Sequence, residues 1–313
     1  MNIYRDLDQK LPIKNAVVTT GSFDGVHIGH KTILNRLNAI AREIEGESTL
    51  ITFHPHPRKV LYPDTAGKEL RLISSQREKI ELLRKVGLHN LIIVPFSIEF
   101  SKMTSLDFIR NILVKKLHAH TVVIGFNHHF GHNREGDFEH LHELGRYYKF
   151  AVEEIPQQDI DNETVSSTKI RQAIREGRIQ RANAYLDHHY IIIGELYRTE
   201  TILDQAGLPI YRVNIDEDVK LIPSVGVYAI SVSNVGKYYR GMLNIANPDK
   251  LPEPNGQELL VELHLFDCDE DLSGQTMMIS FQKRMRDEMS FGNAEELITQ
   301  LSKDKEEINE LIF

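Results

Sequence analysis

The segment Gly21-Ser22-Phe23-Asp24-Gly25-Val26-His27-Ile28-Gly29-His30 decides how the first half of this chain folds. It follows a short β-branched run at residues 16–20 and precedes residues 30–44, whose apolar side chains recur at helical spacing. Its glycines allow the backbone to approach a ligand closely. In an open parallel sheet, such a strand-to-helix turn is a phosphate-binding position. The segment therefore predicts an α/β fold with a phosphate site at the end of this strand.

The rest of the first half alternates between strand and helix patterns. Its apolar runs show no inside–outside alternation, which is typical of strands buried on both faces of a parallel sheet. The further predicted strands span residues 48–53, 90–95, 121–125 and 151–155, and the predicted helices begin at residue 75 or 76, 106 and 140 and end at residues 86, 117 and 148.

The second half changes character near residue 190, where strand patterns begin to follow one another closely. This spacing predicts an antiparallel sheet or a small barrel, followed by a terminal helix. We therefore predict two domains, residues 1–186 and 187–313. The strand patterns of the second domain span residues 190–194, 226–232, 237–241, 259–265 and 275–281, and the helix spans residues 294–311.

Composition narrows the class of protein. The 313 residues carry a net charge of −8, so we do not expect the whole chain to hold nucleic acid or an anionic membrane non-specifically. No apolar run approaches the roughly 18–20 residues of a membrane span, and no signal-peptide pattern opens the sequence. Cys268 is the only cysteine, which suits a reducing compartment. We expect a soluble, cytoplasmic protein; its oligomeric state is left open.

Two segments carry candidate phosphate contacts. His27 and His30 are three residues apart near a helix start, so both imidazoles can face one side and donate hydrogen bonds to phosphate oxygens. The alternative is a glycine-rich turn with one structural histidine. The run Val165-Ser166-Ser167-Thr168-Lys169-Ile170-Arg171 opens another helix, where hydroxyls and cations can bind phosphate together. Its alternative is a plain helix cap with solvated basic residues.

The remaining histidines give weaker signals. His56 lies in the turn Thr52-Phe53-His54-Pro55-His56-Pro57, where a surface or partly buried structural role is equally compatible with the sequence. His128, His129 and His132 are close in sequence, but no carboxylate or cysteine stands at ligand spacing. We therefore do not expect a zinc site there.

The motifs together resemble the bacterial bifunctional riboflavin kinase and FMN adenylyltransferase family, also called FAD synthetase. The resemblance in the first half rests on residues 21–30, 52–57, 125–131, 134, 136–137 and 165–171. It implies a Rossmann-like nucleotidyltransferase domain in which FMN attacks the α-phosphate of ATP, with Mg²⁺ present, to give FAD and pyrophosphate. No covalent nucleophile is then required.

The resemblance also implies roles for individual residues. His27 and His30 would contact the phosphates, and Ser167, Thr168 and Arg171 would hold the β and γ groups. Asn127 stands where the family usually has aspartate, which changes the expected flavin contact because an amide donates as well as accepts. The further residues expected to bind nucleotide or flavin are Gly21, Phe23, Asp24, Gly25, Gly29 and Ser166.

The second half resembles the riboflavin kinase module, a six-stranded antiparallel β-barrel with a terminal helix. Glu262 would be the base for the ribityl hydroxyl; its alternative is an exposed strand residue paired with a cation. Ile210 stands where the family has a Mg²⁺-binding threonine, and Asn214 is a possible metal ligand only if two residues are inserted. Residues 197–205 lack the expected glycines, and residues 244–249 also depart from the family pattern.

Three hypotheses follow. The first is an FMN adenylyltransferase whose kinase module is impaired or lost. The second is a fully bifunctional enzyme that also phosphorylates riboflavin. The third is a flavin- or nucleotide-binding regulatory protein without turnover. The intact first-half motifs favour the first over the third, and the departures in the second half favour the first over the second.

Overall fold

The computed structural model describes residues 1–126, 129–156, 159–160, 163–199, 203, 208–215, 217, 219–234, 236–247 and 259–312. The chain forms two compact units. The N-terminal unit comprises Met1–Leu70 and Lys79–Ser166, and the C-terminal unit comprises Arg71–Glu78 and Ser167–Phe313. The predicted domain boundary after residue 186 stays a prediction.

The N-terminal unit is built on a six-stranded sheet in the order β1-β4-β3-β2-β5-β6, in which every neighbouring pair is parallel. The predicted parallel α/β fold is therefore confirmed. The strands of this unit are β1 (Asn2–Tyr4), β2 (Val17–Thr20), β3 (Ser48–His54), β4 (Asn90–Pro95), β5 (Thr121–Gly125), β6 (Ala151–Ile155) and the short antiparallel pair β7 (Asp159–Ile160) and β8 (Glu163–Thr164).

Helices connect these strands. They are α1 (Ile28–Glu43), α2 (Pro57–Leu61), α3 (Gln76–Lys85), α4 (Ile98–Ser101), α5 (Ser105–Asp107), a π-helix (Phe108–Lys116), a 3₁₀ turn (His132–Arg134) and α6 (Phe138–Tyr148). The predicted single helix at 106–117 is thus a short α-helical turn continued by a π-helix. Apolar spacing over so few residues does not distinguish i→i−4 from i→i−5 hydrogen bonds.

The C-terminal unit contains a closed barrel in the order β10-β13-β12-β11-β14-β9, antiparallel at every pair. The predicted six-stranded barrel with a terminal helix is confirmed. Its elements are α7 (Ser167–Arg175), α8 (Ile179–Leu186), β9 (Tyr190–Thr199), β10 (Ile210–Asn214), β11 (Gly226–Asn234), β12 (Lys237–Ala246), β13 (Leu260–Leu265), β14 (Thr276–Arg286) and α9 (Ala294–Ile312).

Helix α9 packs against the outside of this barrel. Ile308 is fully buried among residues of β11 and β12 and Phe266. Arg286 of β14 binds both carboxylate oxygens of Asp304, at 3.0 Å from Nε to Oδ1 and 2.6 Å from Nη2 to Oδ2. Apolar burial and a bidentate ion pair therefore hold the same helix.

A buried ion pair joins the segment 71–78 to the barrel within the C-terminal unit. Lys220 Nζ lies 2.6 Å from Glu78 Oε2, and the two side chains are 1% and 0% exposed. The ammonium also donates to the carbonyl oxygens of Ile73 and Ile191, at 2.6 and 2.7 Å. Burial raises the pKa of Glu78 above its usual value, although Lys220 and two backbone N–H groups act in the opposite direction.

Candidate phosphate-binding site

The turn between β2 and α1 has an unusual backbone. Gly25 has φ of 82°, and the non-glycine residues Phe23 and Val26 have φ of 47° and 41°. Left-handed backbone is a genuine outlier for a β-branched residue such as valine, and conformations of this kind persist only where the surroundings enforce them. Phe23 and Val26 are both buried. The turn is therefore a fixed element of the fold.

The N-terminus of α1 has features that favour an anion. His27 occupies the cap position but makes no side-chain hydrogen bond to the cap, and the first turn of α1 contains no acidic residue. The first N–H groups of a helix carry partial positive charge and favour an anionic partner. This end of α1 therefore has the chemistry that phosphate requires.

The two predicted histidines lie against each other at this helix end. The ring centroids of His27 and His30 are 3.6 Å apart and their planes differ by 18°. Phe23 stacks on the other side of His30, with centroids 4.4 Å apart. A Cβ at Gly21 would lie 3.1 Å from the Phe23 ring, so glycine at this position leaves room for the stack.

His30 is held neutral by its surroundings. Its pKa is lowered well below the usual value by burial, by His27 and by the ammonium of Lys79. Among the residues that the structure describes, its Nδ1 has no hydrogen-bond partner. A neutral imidazole carries one N–H donor, so His30 can donate to an incoming phosphate without a charge of its own.

Lys79 is a site residue that sequence reasoning missed. Its Nζ donates to the carbonyl oxygen of Ser22 at 2.8 Å, and Thr52 Oγ1 donates to the same oxygen at 3.2 Å. Lys79 is only 4% exposed. No motif marks it in the sequence, where it reads as one of several charged residues at the start of a predicted helix.

The structure gives positions for some of the other residues predicted in this unit. Asp24 is buried within the turn, and Gly29 lies against the His27 ring, where a Cβ would be 3.4 Å from ring atoms. Asn127 lies outside the described residues, so its predicted flavin contact stays a prediction. His56 accepts a hydrogen bond from Arg58 N at 3.2 Å and caps α2, which gives it a structural role.

Ser166 ends the N-terminal unit, and Ser167, Thr168 and Arg171 belong to helix α7 of the C-terminal unit. The first turn of α7 contains no acidic residue, and Thr168 is exposed. Arg171 Nε donates to the carbonyl oxygen of Arg71 at 2.9 Å, which fixes the guanidinium. Their predicted contacts with the β and γ phosphates stay predictions.

Glu262 and Asn214 lie on barrel strands. Glu262 of β13 is half-buried and stands in register with Asn244 of β12 on one side and Arg212 of β10 on the other. Asn214, at the end of β10, is in register with Glu195 of β9. Side chains in register on neighbouring antiparallel strands have Cβ atoms about 4.5–5.5 Å apart. Glu262 therefore has a cation as its direct cross-strand neighbour.

A parallel α/β unit with this strained turn and histidine pair, followed by a six-stranded barrel, defines a two-module nucleotidyltransferase. Residues 10–169 match the family model described as FAD synthetase, and residues 186–312 match that described as riboflavin kinase. The chain belongs to the bifunctional riboflavin kinase/FMN adenylyltransferase family, which confirms the resemblance of the motifs. It is an enzyme, a transferase.

Relatives carrying that family name cover nearly the whole chain. The Listeria monocytogenes protein is 31% identical over 295 residues, covering 94% of this chain and 91% of its own length. The Escherichia coli K12 protein is 30% identical over 294 residues, covering 94% of this chain and 92% of its own length. The Bacillus subtilis 168 protein is 30% identical and covers 93% of this chain and 91% of its own length.

A solved structure with the same fold carries a different name. The crystal structure of a protein from Streptococcus pneumoniae, titled macrolide-efflux protein, superposes with a TM-score of 0.84 and 27% identity, and 97% of each chain is covered. In the part of this chain that the structure describes, no helix has the length and apolar character needed to cross a membrane.

Proposed function

We propose that the N-terminal unit transfers AMP from ATP to FMN, with release of pyrophosphate, and so makes FAD. The observation that carries this proposal is the strained turn before α1 together with the stacked pair His27 and His30. A terminal phosphate oxygen of FMN attacks the α-phosphorus of ATP, and the bond from that phosphorus to the bridging oxygen of pyrophosphate breaks. Negative charge then grows on the leaving pyrophosphate, and preorganised donors stabilise it.

Each group at the turn has a place in this reaction. The N–H groups at the start of α1 bind phosphate oxygens through hydrogen bonds and the helix dipole. His27 and His30 donate to the oxygens whose charge increases as pyrophosphate departs. Positioning and charge stabilisation supply the catalysis, since the reaction needs no covalent enzyme intermediate.

Mg²⁺ is expected to enter with ATP. This ion keeps waters and substrate phosphates as most of its ligands and needs one or two protein carboxylates at most. Asp24 is the carboxylate of the turn and would hold the ion there, where it would neutralise phosphate charge. Among the described residues, no group of three or more His, Cys, Asp or Glu side chains is gathered around a metal position. A single cysteine, Cys268, suits our proposal that the enzyme works in the cytoplasm.

The first experiment asks which flavin is converted. The protein is incubated with Mg·ATP and either FMN or riboflavin, and the products are resolved by chromatography. We expect FAD from FMN. His30→Ala should abolish FAD formation while the melting temperature stays close to that of the wild type. Retained activity in this variant would contradict the phosphate role of His30, and absence of FAD from the wild type would leave only a binding function.

We also propose that the riboflavin kinase activity of the barrel is impaired. Arg212 stands in register with Glu262 on the neighbouring strand, where its cation would compete for the carboxylate that the kinase reaction would use as a base. Ile210, at the start of β10, offers no oxygen to a hard cation. Asn214 stays the possible ligand. The fully bifunctional alternative is supported by the riboflavin kinase match over residues 186–312.

The riboflavin reaction decides between these two functions. Formation of FMN from riboflavin at a rate comparable to FAD formation establishes the bifunctional enzyme, and Glu262→Gln should then abolish that step alone. If riboflavin is not phosphorylated while FMN is still converted to FAD, the barrel has lost its kinase reaction. In that case Glu262→Gln leaves FAD formation unchanged.

A further inference from the structure

We propose that Lys79 is a positioning residue of the ATP site, which orients the turn before α1 through the Ser22 carbonyl group and places a fixed positive charge behind the two histidines. This inference rests on the proposed FMN adenylyltransferase function. Nothing in the sequence motifs points to Lys79, which lies 57 residues from its acceptor in the chain.

The first step of the argument is the orientation of one peptide group. Ser22 O accepts hydrogen bonds from Lys79 Nζ at 2.8 Å and from Thr52 Oγ1 at 3.2 Å. A peptide group is planar and trans, so its N–H points opposite to its C=O. Fixing the Ser22 oxygen towards β3 and α3 therefore directs the N–H of Phe23 the other way. Lys79 thus controls the direction of a backbone donor in the strained turn.

The second step concerns burial of the ammonium. A lysine that is 4% exposed loses most of its hydration, and such a charge is tolerated only where partners replace the lost water. A position beside an anion-binding site would explain why this ammonium is buried despite its lost hydration. The potential of Lys79 reaches His30, whose pKa it lowers together with burial and His27. Lys79 therefore provides positive charge while His30 stays a neutral donor.

Among the residues that the structure describes, the charges that act on His30 are those of His27 and Lys79. Asp24 is the buried carboxylate of the same turn. Lys31 follows His30 on α1; of the strands against which α1 packs, β2 and β5 contain no titratable residue, and β3 contains only His54, which is exposed. Loss of the Lys79 charge should therefore raise the pKa of His30 towards the ordinary histidine value.

The test compares four variants of the full chain by steady-state FAD formation with ATP varied at saturating FMN. Lys79→Met removes the charge and its hydrogen bond, and Lys79→Arg keeps a cation. Thr52→Val removes the other hydrogen bond to Ser22 without changing charge. Lys85→Met removes an exposed lysine of the same helix and is the matched control.

We expect Lys79→Met to lower kcat/KM for ATP about thirtyfold, since hydrogen bonds to charged groups contribute on the order of ten- to hundredfold. Lys79→Arg should recover most of this loss, and Lys85→Met should equal the wild type. In a second series with FMN varied at saturating ATP, the KM for FMN should stay unchanged. Thr52→Val should lower kcat/KM for ATP about fivefold, as expected for a neutral hydrogen bond. The acid limb of the pH profile of kcat/KM for ATP should shift to higher pH in Lys79→Met and stay at the same pH in Thr52→Val.

The outcomes separate the two proposals. If the wild type makes no FAD from FMN, the proposed function fails, and this inference fails with it. If the wild type is active and Lys79→Met keeps kcat/KM for ATP within threefold, only the positioning role is refuted. Equal losses in Lys79→Met and Lys79→Arg with matching falls in melting temperature would also refute it, since a purely structural role predicts that pattern. If Lys79→Met does not fold, unchanged ATP kinetics in Thr52→Val refute the inference.

Discussion

The buried ion pair of Glu78 and Lys220 gives a sharp prediction for stability. Lys220→Met keeps the length of the apolar stem but removes three hydrogen bonds, to Glu78 Oε2 and to the carbonyl oxygens of Ile73 and Ile191. The carboxylate of Glu78 would remain at 0% exposure without its cation. Removing one partner of a buried pair costs about 3–5 kcal/mol. We expect a loss of about 4 kcal/mol in the free energy of unfolding of the C-terminal unit.

The assay is urea unfolding combined with hydrogen exchange of barrel amides, because a chain with two units need not unfold in one step. Burial already raises the pKa of Glu78, and loss of Lys220 raises it further. The deficit of Lys220→Met should therefore be smaller at pH 5 than at pH 8, since Glu78 can then take up a proton. The Lys220→Met/Glu78→Gln double variant should recover part of the loss.

The matched control is Lys237→Met. Lys237 pairs with Glu270 at the surface, and the two side chains are 59% and 53% exposed. Exposed pairs contribute about 0–1 kcal/mol, so this variant should remain close to the wild type. The reasoning is refuted if Lys220→Met loses less than about 1 kcal/mol, or if its deficit is the same at pH 5 and pH 8.

Three further outcomes are expected. His30 is neutral in the folded chain and takes up a proton when the chain unfolds, because its folded-state pKa is lowered. The free energy of unfolding should therefore fall as the pH drops below about 6.5, by up to about 1.36 kcal/mol per pH unit. His30→Phe should reduce this slope in urea titrations. Gly131→Ala should lower the melting temperature more than Gly236→Ala. Both glycines have positive φ, but only a Cβ at Gly131 would meet backbone atoms of α5, at 2.6 Å. Arg286→Met should cost about 2–4 kcal/mol in the same melts, because the buried Asp304 would lose its cation and keep only the hydrogen bond from Gln300. Equal stability would contradict the docking role of this pair.

The sheet and the barrel were predictable because their strands carry strong local signals. Buried parallel strands read as continuous apolar runs, so β3, β4 and β5 fall within one residue of their predicted bounds. The edge strand β6 also has its predicted bounds, although only Ile155 of it is buried. The three residues of β1 are too few to show any periodicity. The family pattern predicts a loop at residues 210–214, whereas the structure forms strand β10 there.

The candidate site was predictable only in part. The turn and its histidines form a local motif, and their stacking follows from spacing along a helix start. Lys79 and Lys220 have partners 57 and 142 residues away, which no pattern within a segment can reveal. The positive φ of Val26 was equally hidden, since propensity places valine in extended backbone. Tertiary contacts therefore decide the features that distinguish this site from an ordinary glycine-rich turn.

The membership of residues 71–78 in the C-terminal unit limits how this gene can be divided. A fragment beginning at residue 187 would contain Lys220 but neither Glu78 nor the Ile73 carbonyl group that also accepts from its ammonium. Such a fragment would have to keep a lysine uncharged or hydrate it inside the protein. The barrel of this chain therefore cannot be moved to another protein on its own. A fusion or truncation that preserves the barrel must include the segment 71–78.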